Sequence, residues 1–536
     1  MEKIPPLQDL DQEIYSFLAR RFPVCCWSDE FVFFPQAVAA TSDWSCWDDL
    51  SPDSVEETAL RLRTFRERLD RTRGQDPGDV SCRGKLVSLS QWAMRNLEEQ
   101  FTLVKTHATQ PTFALTVATV GLIQAYQSKE DGALNSRLKT LPVFLENSFK
   151  SLSGVPELYR DLGVAMAQDL THWLGKMGCQ IDTGSAEEAV REFGQRLSRM
   201  AVTEDFRLDR NLFEQVVCRH TGSTLTLTEA LQELEDEACV AGKLLTEEAR
   251  KFGYGGDWES CYRNIEEEPL GPDDRKGLLR LEIDRLREHC IRQGFLSGQV
   301  PTPDGIDIEF LPPSLASIRA ADSYNARPGY PFQGGVFYIF KSSSLGASIG
   351  SIHPSYRMTA AHETYPGHHL LDFFRWNNPE PVLRSTEYPL FYEGWACFGE
   401  DLMFHTGAFE RAYDRLILLR RRFRHALRGK VDLMVHSGKM GIEDAAGKLA
   451  LGGFSGSRAL DMARKYALRP AYQMCYTIGR RQFQKLFESY GQRDIPEFVN
   501  TVLSSGELLF KDLEKVLQQT MRHGDTETLR HGESID

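Results

Sequence analysis

No stretch of this chain is both apolar and long. The opening, MEKIPPLQDLDQEIYSFLARRF, holds no uninterrupted apolar run of signal-peptide type. The most apolar window, TFALTVATVGLIQAY at residues 112–126, is too short to span a bilayer and reads as a buried helix. A basic surplus is missing as well: 63 Lys and Arg against 76 Asp and Glu leave a net charge of −13, which argues against a nucleic-acid partner. The 11 cysteines contain no C-x-x-C pair and are odd in number, which fits reduced thiols in a cytoplasmic protein better than a disulfide framework. Cys25 and Cys26 are adjacent but read as lone buried thiols. Repeats and low-complexity tracts are absent too. The one local run of charge, Arg420, Arg421, Arg422 and Arg424, reads as a solvated helix face.

What remains is an ordinary globular composition, 41% hydrophobic and 26% charged, over 536 residues, long enough for two or more lobes. Residues 1–295 read as a helical lobe. Within it, residues 226–253 carry hydroxyl caps at the start and glycine at the end, and residues 273–294 open on aspartates and close on Gly294. The Gly- and Pro-rich passage 294–305 reads as a boundary. Beyond it, IDIEFL (306–311) and GGVFYIF (334–340) look like short strands, and helical texture resumes from about 356 to 520. Residues 296–520 form the expected catalytic lobe, and 521–536 a polar, frayed tail. The fold class is therefore mainly α, with a small sheet beside the active-site cleft.

The familiar helical zinc motif, H-E-x-x-H, is another absence. In HETYPGHHL (362–370) the position four after His362 is Pro366, which has no ligand atom. His362 and Glu363 still supply a ligand and a base in adjacent positions. His368, six residues on, would sit roughly 9 Å further along a regular helix and face another way. Pro366-Gly367 offers the remedy, because proline breaks the hydrogen-bond ladder and glycine opens backbone angles closed to other residues. A bulged or broken helix there would return His368 to the metal. The third ligand fits Glu393 in FYEGWACFGEDLM (391–403), with Glu400 two turns on as a hydrogen-bond partner for a ligand histidine.

These residues resemble the bacterial family known as domain of unknown function 885, of the zincin-like metallopeptidase group. Its signature is H-E-x-x-P-G-H-H followed by E-G-W-A and a further glutamate. The resemblance implies one zinc ion per chain held by His362, a histidine after the glycine and Glu393, with Glu363 as general base. Aligning on Gly-His selects His368, with His369 as the alternative. RGKVDLMVH resembles a family Arg, Asp and His series through Arg428, Asp432 and His436. There His436 is either a substrate-facing donor at the cleft or part of an ordinary exposed helix. YALRPAYQMCYTIGRRQF resembles a segment of proline, five residues, tyrosine, two residues and glycine, here Pro470, Tyr476 and Gly479, and makes Tyr476 the oxyanion candidate. The chain departs from the family at Ala471-Tyr472, where Gly-Gln is common, and at Cys397-Phe398, where Leu-Tyr is. Both changes bear on the substrate pocket more than on the metal. SYNARPGYPFQGGVFYIF (323–340) lies where the family has a comparable stretch. GGVFYIF is either an edge strand for extended substrate or a buried strand with no substrate contact.

The expected function is zinc-dependent hydrolysis of peptide bonds in short peptides. The alternatives are hydrolysis of a non-peptide amide, or an inactive helical scaffold that binds a partner. Arg428, Arg464 and Arg480 are equivalent candidates to clamp a substrate carboxylate. The expected partners are a peptide or small amide substrate, without nucleic acid or membrane.

Overall fold

The computed structural model describes the chain except residues 1–6, 37–43, 74–81, 103–106, 129–131, 179–180, 204, 272–273, 297–303, 313–318, 320, 341–349 and 532–536. It is mainly helical, and local chemistry explains where its helices begin and end. Helix Leu227–Lys251 opens with a capping box: Thr226 Oγ1 accepts from the Glu229 N–H at 3.2 Å, and the Glu229 carboxylate accepts from the Thr226 N–H at 2.8 Å. Helix Arg275–Arg292 stops before Gly294, which takes a left-handed φ of +70°. The apolar window 112–126 lies within the largely buried helix Pro111–Ser128. Among the described residues no helix is long and apolar enough to cross a membrane.

Among the described residues, five short strands form two small sheets. Strands β1 (Glu268–Pro269) and β5 (Ser351–Ile352) make an antiparallel pair. Strands β2 (Ile306–Phe310), β3 (Ser323–Ala326) and β4 (Gly335–Ile339) form a sheet in the order β2-β4-β3. Of the two readings of GGVFYIF, the edge strand falls and the buried strand is found. Strand β4 is central, with β2 parallel on one flank and β3 antiparallel on the other, so its ladder is filled on both sides. Its side chains are correspondingly buried on both faces, a pattern that marks an interior strand. The strand with an open edge toward the site is β3.

The apolar core is continuous across residue 295. Helix Leu227–Lys251 lies along helix Asp414–His436, and one buried cluster extends from Leu7 to Leu517. Much of the passage expected as a boundary, residues 297–303, lies outside the described residues. Helix Phe510–His531 buries Leu513 and Leu517 and extends into the passage expected as a polar tail, whose residues 532–536 lie outside the described residues.

Two helices that carry the site meet without side chains between them. A Cβ on Gly479, in helix Met474–Leu486, would lie 2.0 Å from the Leu390 carbonyl oxygen. A Cβ on Gly394, in helix Pro389–His405, would lie 2.6 Å from the Gly479 Cα. Those neighbours are backbone and cannot swing aside, so only glycine permits the crossing. Gly479→Ala and Gly394→Ala should each lower unfolding free energy by about 2–3 kcal/mol or more in urea titration. Gly447→Ala, at a helical position with nothing within 4 Å of the added Cβ, should instead stabilise by about 0.5–1 kcal/mol.

Candidate metal centre

Helix Tyr356–Glu363 delivers His362 and Glu363 and then stops. Thr364 leaves helical geometry at φ −124° and ψ −90°, the Tyr365–Pro366 peptide is cis, and a new helix begins at His368. The expected break is thus present, and it is a full interruption. Gly367 makes it possible: a Cβ there would lie 1.8 Å from the His362 carbonyl oxygen and 2.6 Å from that of Ala361. The Gly367 N–H donates to the Ala361 carbonyl at 3.1 Å, and Trp395 Nε1–H donates to the Pro366 carbonyl at 2.8 Å. The tryptophan of E-G-W-A therefore holds the bend that the proline of H-E-x-x-P-G creates.

Across this bend the imidazoles of His362 and His368 converge, with ring centroids 4.8 Å apart and planes at 89°. Glu393 completes the set: its Oε2 lies 3.6 Å from Nε2 of each histidine. Those separations exceed a hydrogen bond, and the buried Oε2 has no hydrogen-bond partner. Ligand atoms about 2.0–2.1 Å from a shared tetrahedral zinc lie roughly 3.3–3.4 Å from one another, so the donor set fits such an ion. A second grouping, His362 with Cys397 and Glu400, also clusters. Its members are otherwise engaged, since Arg421 grips both Glu400 oxygens at 2.5 and 2.7 Å and the Cys397 sulfur lies 3.3 Å from His425 Nδ1.

The surrounding contacts orient the set. Glu400 Oε1 lies 2.9 Å from His362 Nδ1, as expected of a carboxylate behind a ligand histidine. Burial pushes the Glu400 carboxyl up, but Arg421 and His362 outweigh it and hold it at about 2. His368 stacks on Tyr392 at 4.1 Å, and Tyr472 donates its hydroxyl to Glu393 Oε1 at 2.8 Å. Glu363 points into the same cavity with Oε2 accepting the Tyr324 N–H of β3 at 2.8 Å. Burial raises the Glu363 carboxyl above its ordinary range, against the pull of His362, His368 and that N–H.

His369 faces the sheet, with Nδ1 2.9 Å from the Tyr324 hydroxyl, so it is His368 that joins Glu393. Tyr476 lines the cavity, its ring nearly parallel to that of His362 at 6.4 Å. Burial, then the Glu393 carboxylate, pushes its phenol well above its usual range, so it keeps its proton. His436 is corrected. It is 1% exposed, lies against Phe206 and Phe213, and sits 3.2 Å from the Tyr466 carbonyl, outside the cavity lining. The histidine of that helix which does reach the cavity is His425, with its ring 5.0 Å from that of Tyr476 and 6.4 Å from that of His362. Burial, then Arg428 and Arg421, keeps it neutral. It lies seven residues, about two turns, before Asp432 on the same helical stripe, although the four-residue series itself steps back to Arg424.

The basic run is corrected too. Arg420, Arg421 and Arg424 line the cavity, and Arg422 pairs with Glu237 at 2.8 Å. Of the three clamp candidates only Arg428 reaches the cavity, since Arg464 is exposed and Arg480 is tied to Asp401 at 2.7 Å and Glu237 at 2.8 Å. The buried Cys25 and Cys26 are free thiols.

A family model described as "Bacterial protein of unknown function (DUF885)" matches residues 38–517. The chain belongs to this family. Two solved structures share its fold, each described as that of a "putative lipoprotein". The one from Shewanella oneidensis, of unknown function, has a TM-score of 0.71 at 15% identity and covers 95% of this chain and 98% of its own. The one from Colwellia psychrerythraea has a TM-score of 0.71 at 14% identity, over 96% of this chain and 98% of its own. No curated protein matches the chain significantly. The Ala471-Tyr472 pair bears on the candidate donor set as well as on the pocket, since Tyr472 donates to Glu393 and Ala471 takes a left-handed φ of +63°.

Asp432 lies under this segment, accepting from the Gln473 and Ala471 N–H groups at 2.8 and 3.3 Å. Burial, against those two bonds and Arg428, raises its carboxyl from 3.8 to about 8. An acid with a raised folded-state pKa stays protonated in the fold while the unfolded chain ionises, so its contribution falls as pH rises from about 4 to about 8. Unfolding free energy should therefore be lower at pH 9 than at pH 6 in urea titration, and Asp432→Asn should flatten that slope.

Proposed function

We propose that this protein is a zinc-dependent hydrolase of the zincin-like group, and that it cleaves amide bonds in short peptides. The observation that carries the reading is the buried Glu393 Oε2 without a hydrogen-bond partner, flanked at 3.6 Å by two imidazole nitrogens, with the Glu363 carboxylate beside it. Zinc held by His362, His368 and Glu393 would supply Lewis acidity, easing loss of a water proton and polarising the scissile carbonyl.

The residues of the chain do the rest. Glu363, with one oxygen occupied by the Tyr324 N–H, has the other for proton transfer: it takes the water's proton and passes it to the leaving nitrogen. Its raised affinity for protons suits that exchange near neutral pH. Tyr476, protonated, donates to the oxyanion, with neutral His425 beside it as a second donor. The open edge of β3 offers a ladder for extended substrate. In an antiparallel pair the N–H and C=O of a residue point the same way, so the Tyr324 carbonyl shares the outward side on which its N–H reaches Glu363. A cavity of about 480 Å³ fits a few residues of peptide rather than a folded domain.

Four variants test it by zinc analysis and peptide-library digestion read by mass spectrometry. Glu363→Gln should retain one zinc per chain and lose turnover about 10³-fold or more. Tyr476→Phe should retain zinc and lose about 10²-fold in kcat. His368→Ala should lose zinc, whereas His369→Ala should keep it. Wild-type turnover by Glu363→Gln would overturn the mechanism, and stoichiometric zinc in His368→Ala would overturn the ligand set.

A further inference from the structure

One wall of the cavity carries more positive charge than the described residues neutralise. Helix Asp414–His436 turns Arg420, Arg424 and Arg428 toward the cavity at four-residue steps, about 6 Å apart along the axis. Arg458, from helix Gly456–Tyr466, lines the same region. Four other buried arginines meet carboxylates: Arg357 meets Asp414, Arg375 meets Asp372, Arg421 meets Glu400 and Arg480 meets Asp401, whereas buried Arg137 donates to the carbonyls of Cys46 and Gly121. Among the described residues, no carboxylate lies within ion-pair distance, 4.0 Å, of Arg420, Arg424 or Arg428.

What these three have instead is aromatic. The guanidinium carbon of Arg420 sits 3.8 Å from the Tyr262 ring centroid, that of Arg424 3.5 Å from Phe454, and that of Arg428 4.7 Å from Tyr476. A ring face steadies the cation but takes none of the N–H donors, which lie in the guanidinium plane. The buried Nε atoms of Arg420 and Arg424 have no hydrogen-bond partner, although Arg420 is only 7% exposed. Arg428 donates to the Tyr466 hydroxyl at 2.9 Å and the Gln473 amide oxygen at 2.5 Å, both neutral. Burial, then Arg420, then Arg458 and Arg428, presses the Arg424 guanidinium well below its usual range. The acids of the cavity lie against other groups: Asp29 and Glu30 against Arg319, Asp322 against Arg275, Glu387 against Arg375, Glu363 against the β3 backbone, and Glu393, through one oxygen, against Tyr472. Several like charges, buried, braced by rings and unanswered by acids, make up a preformed anion site.

Its position relates it to the chemistry. Arg428 lies over the ring of Tyr476, which stacks beside His362, and Arg424 and Arg420 follow one and two turns further along the helix. We propose that this arginine wall binds carboxylates of the substrate, a free C-terminus or acidic side chains, within a few residues of the bond that is cut. The proposal rests on the peptide-hydrolase reading for the place of the cut, and on the wall itself for the binding. Guanidinium forks take carboxylate and phosphate alike, and carboxylate is the form an unmodified peptide carries.

Calorimetry on the zinc-loaded full-length protein at low salt tests it with three probes: glutarate, its monoamide and inorganic phosphate. Glutarate should bind at least tenfold more tightly than the monoamide. Arg424→Gln should weaken it at least tenfold, and Arg424→Lys should restore part of the loss. Because the ligand-free wall holds unmatched charge, Arg424→Gln should also melt at or above the wild-type temperature. Equal binding of glutarate and monoamide, or glutarate binding untouched by Arg424→Gln, overturns the proposal. So does a melting temperature several degrees lower with binding unchanged, which would make Arg424 a structural residue. Phosphate tighter than glutarate by tenfold overturns the carboxylate assignment in favour of a phosphorylated ligand. Arg424-dependent glutarate binding in a protein that cuts no peptide would sink the hydrolase reading and leave the wall standing.

Discussion

The site depends on one backbone contact, the approach of Gly367 to the carbonyl of His362. Any side chain at 367 would occupy the space of that oxygen, and without the approach the helix could not stop, turn and restart within four residues. The turn brings His368 back beside His362 instead of leaving it a turn and a half further on. Its outer side is held by Trp395, whose indole N–H reaches the Pro366 carbonyl from the helix that also presents Glu393. Donor set and bend are therefore secured by the same pair of segments. A shift in one disturbs the other.

A second constraint fixes the distance of the remaining groups. The Gly394–Gly479 crossing brings two helices into backbone contact, which sets Glu393 of one against Tyr472 and Tyr476 near the start of the other. Polar groups buried this deeply are costly unless partnered, and most here are: Glu400 with Arg421, Asp372 with Tyr392 and Arg375, Asp432 with two backbone N–H groups. Several buried polar atoms of the chain have no hydrogen-bond partner, and among them Glu393 Oε2 and the Nε groups of Arg420 and Arg424 belong to residues that line one cavity. In a cavity open to a ligand, such groups have a natural complement.

Much of this was legible in the sequence. The mainly helical class, the capped helix from Leu227, the interruption at Pro366-Gly367 and the meeting of His362, His368 and Glu393 all follow from spacing and local chemistry. The misses share a cause, since each turned on what lay across a helix or strand rather than along it. The basic run from Arg420 has the periodicity of a solvated face, and only the packing of Tyr262 and Phe454 against it makes it a cavity wall. His436 and His425 occupy one stripe, and which of them meets the cavity depends on where Phe206 and Phe213 close over the helix. Strand β4 has the composition of either an edge or a centre, and β2 and β3 on its flanks decide it.

The central claim is that the broken helix gathers His362, His368 and Glu393 around a single metal ion, and not His362, Cys397 and Glu400. X-ray absorption at the zinc edge of the zinc-loaded protein reads this directly. The account predicts only nitrogen and oxygen ligands at about 2.0–2.1 Å, with outer-shell scattering from two imidazoles. A sulfur ligand at about 2.3 Å, or outer-shell scattering from a single imidazole, would contradict it.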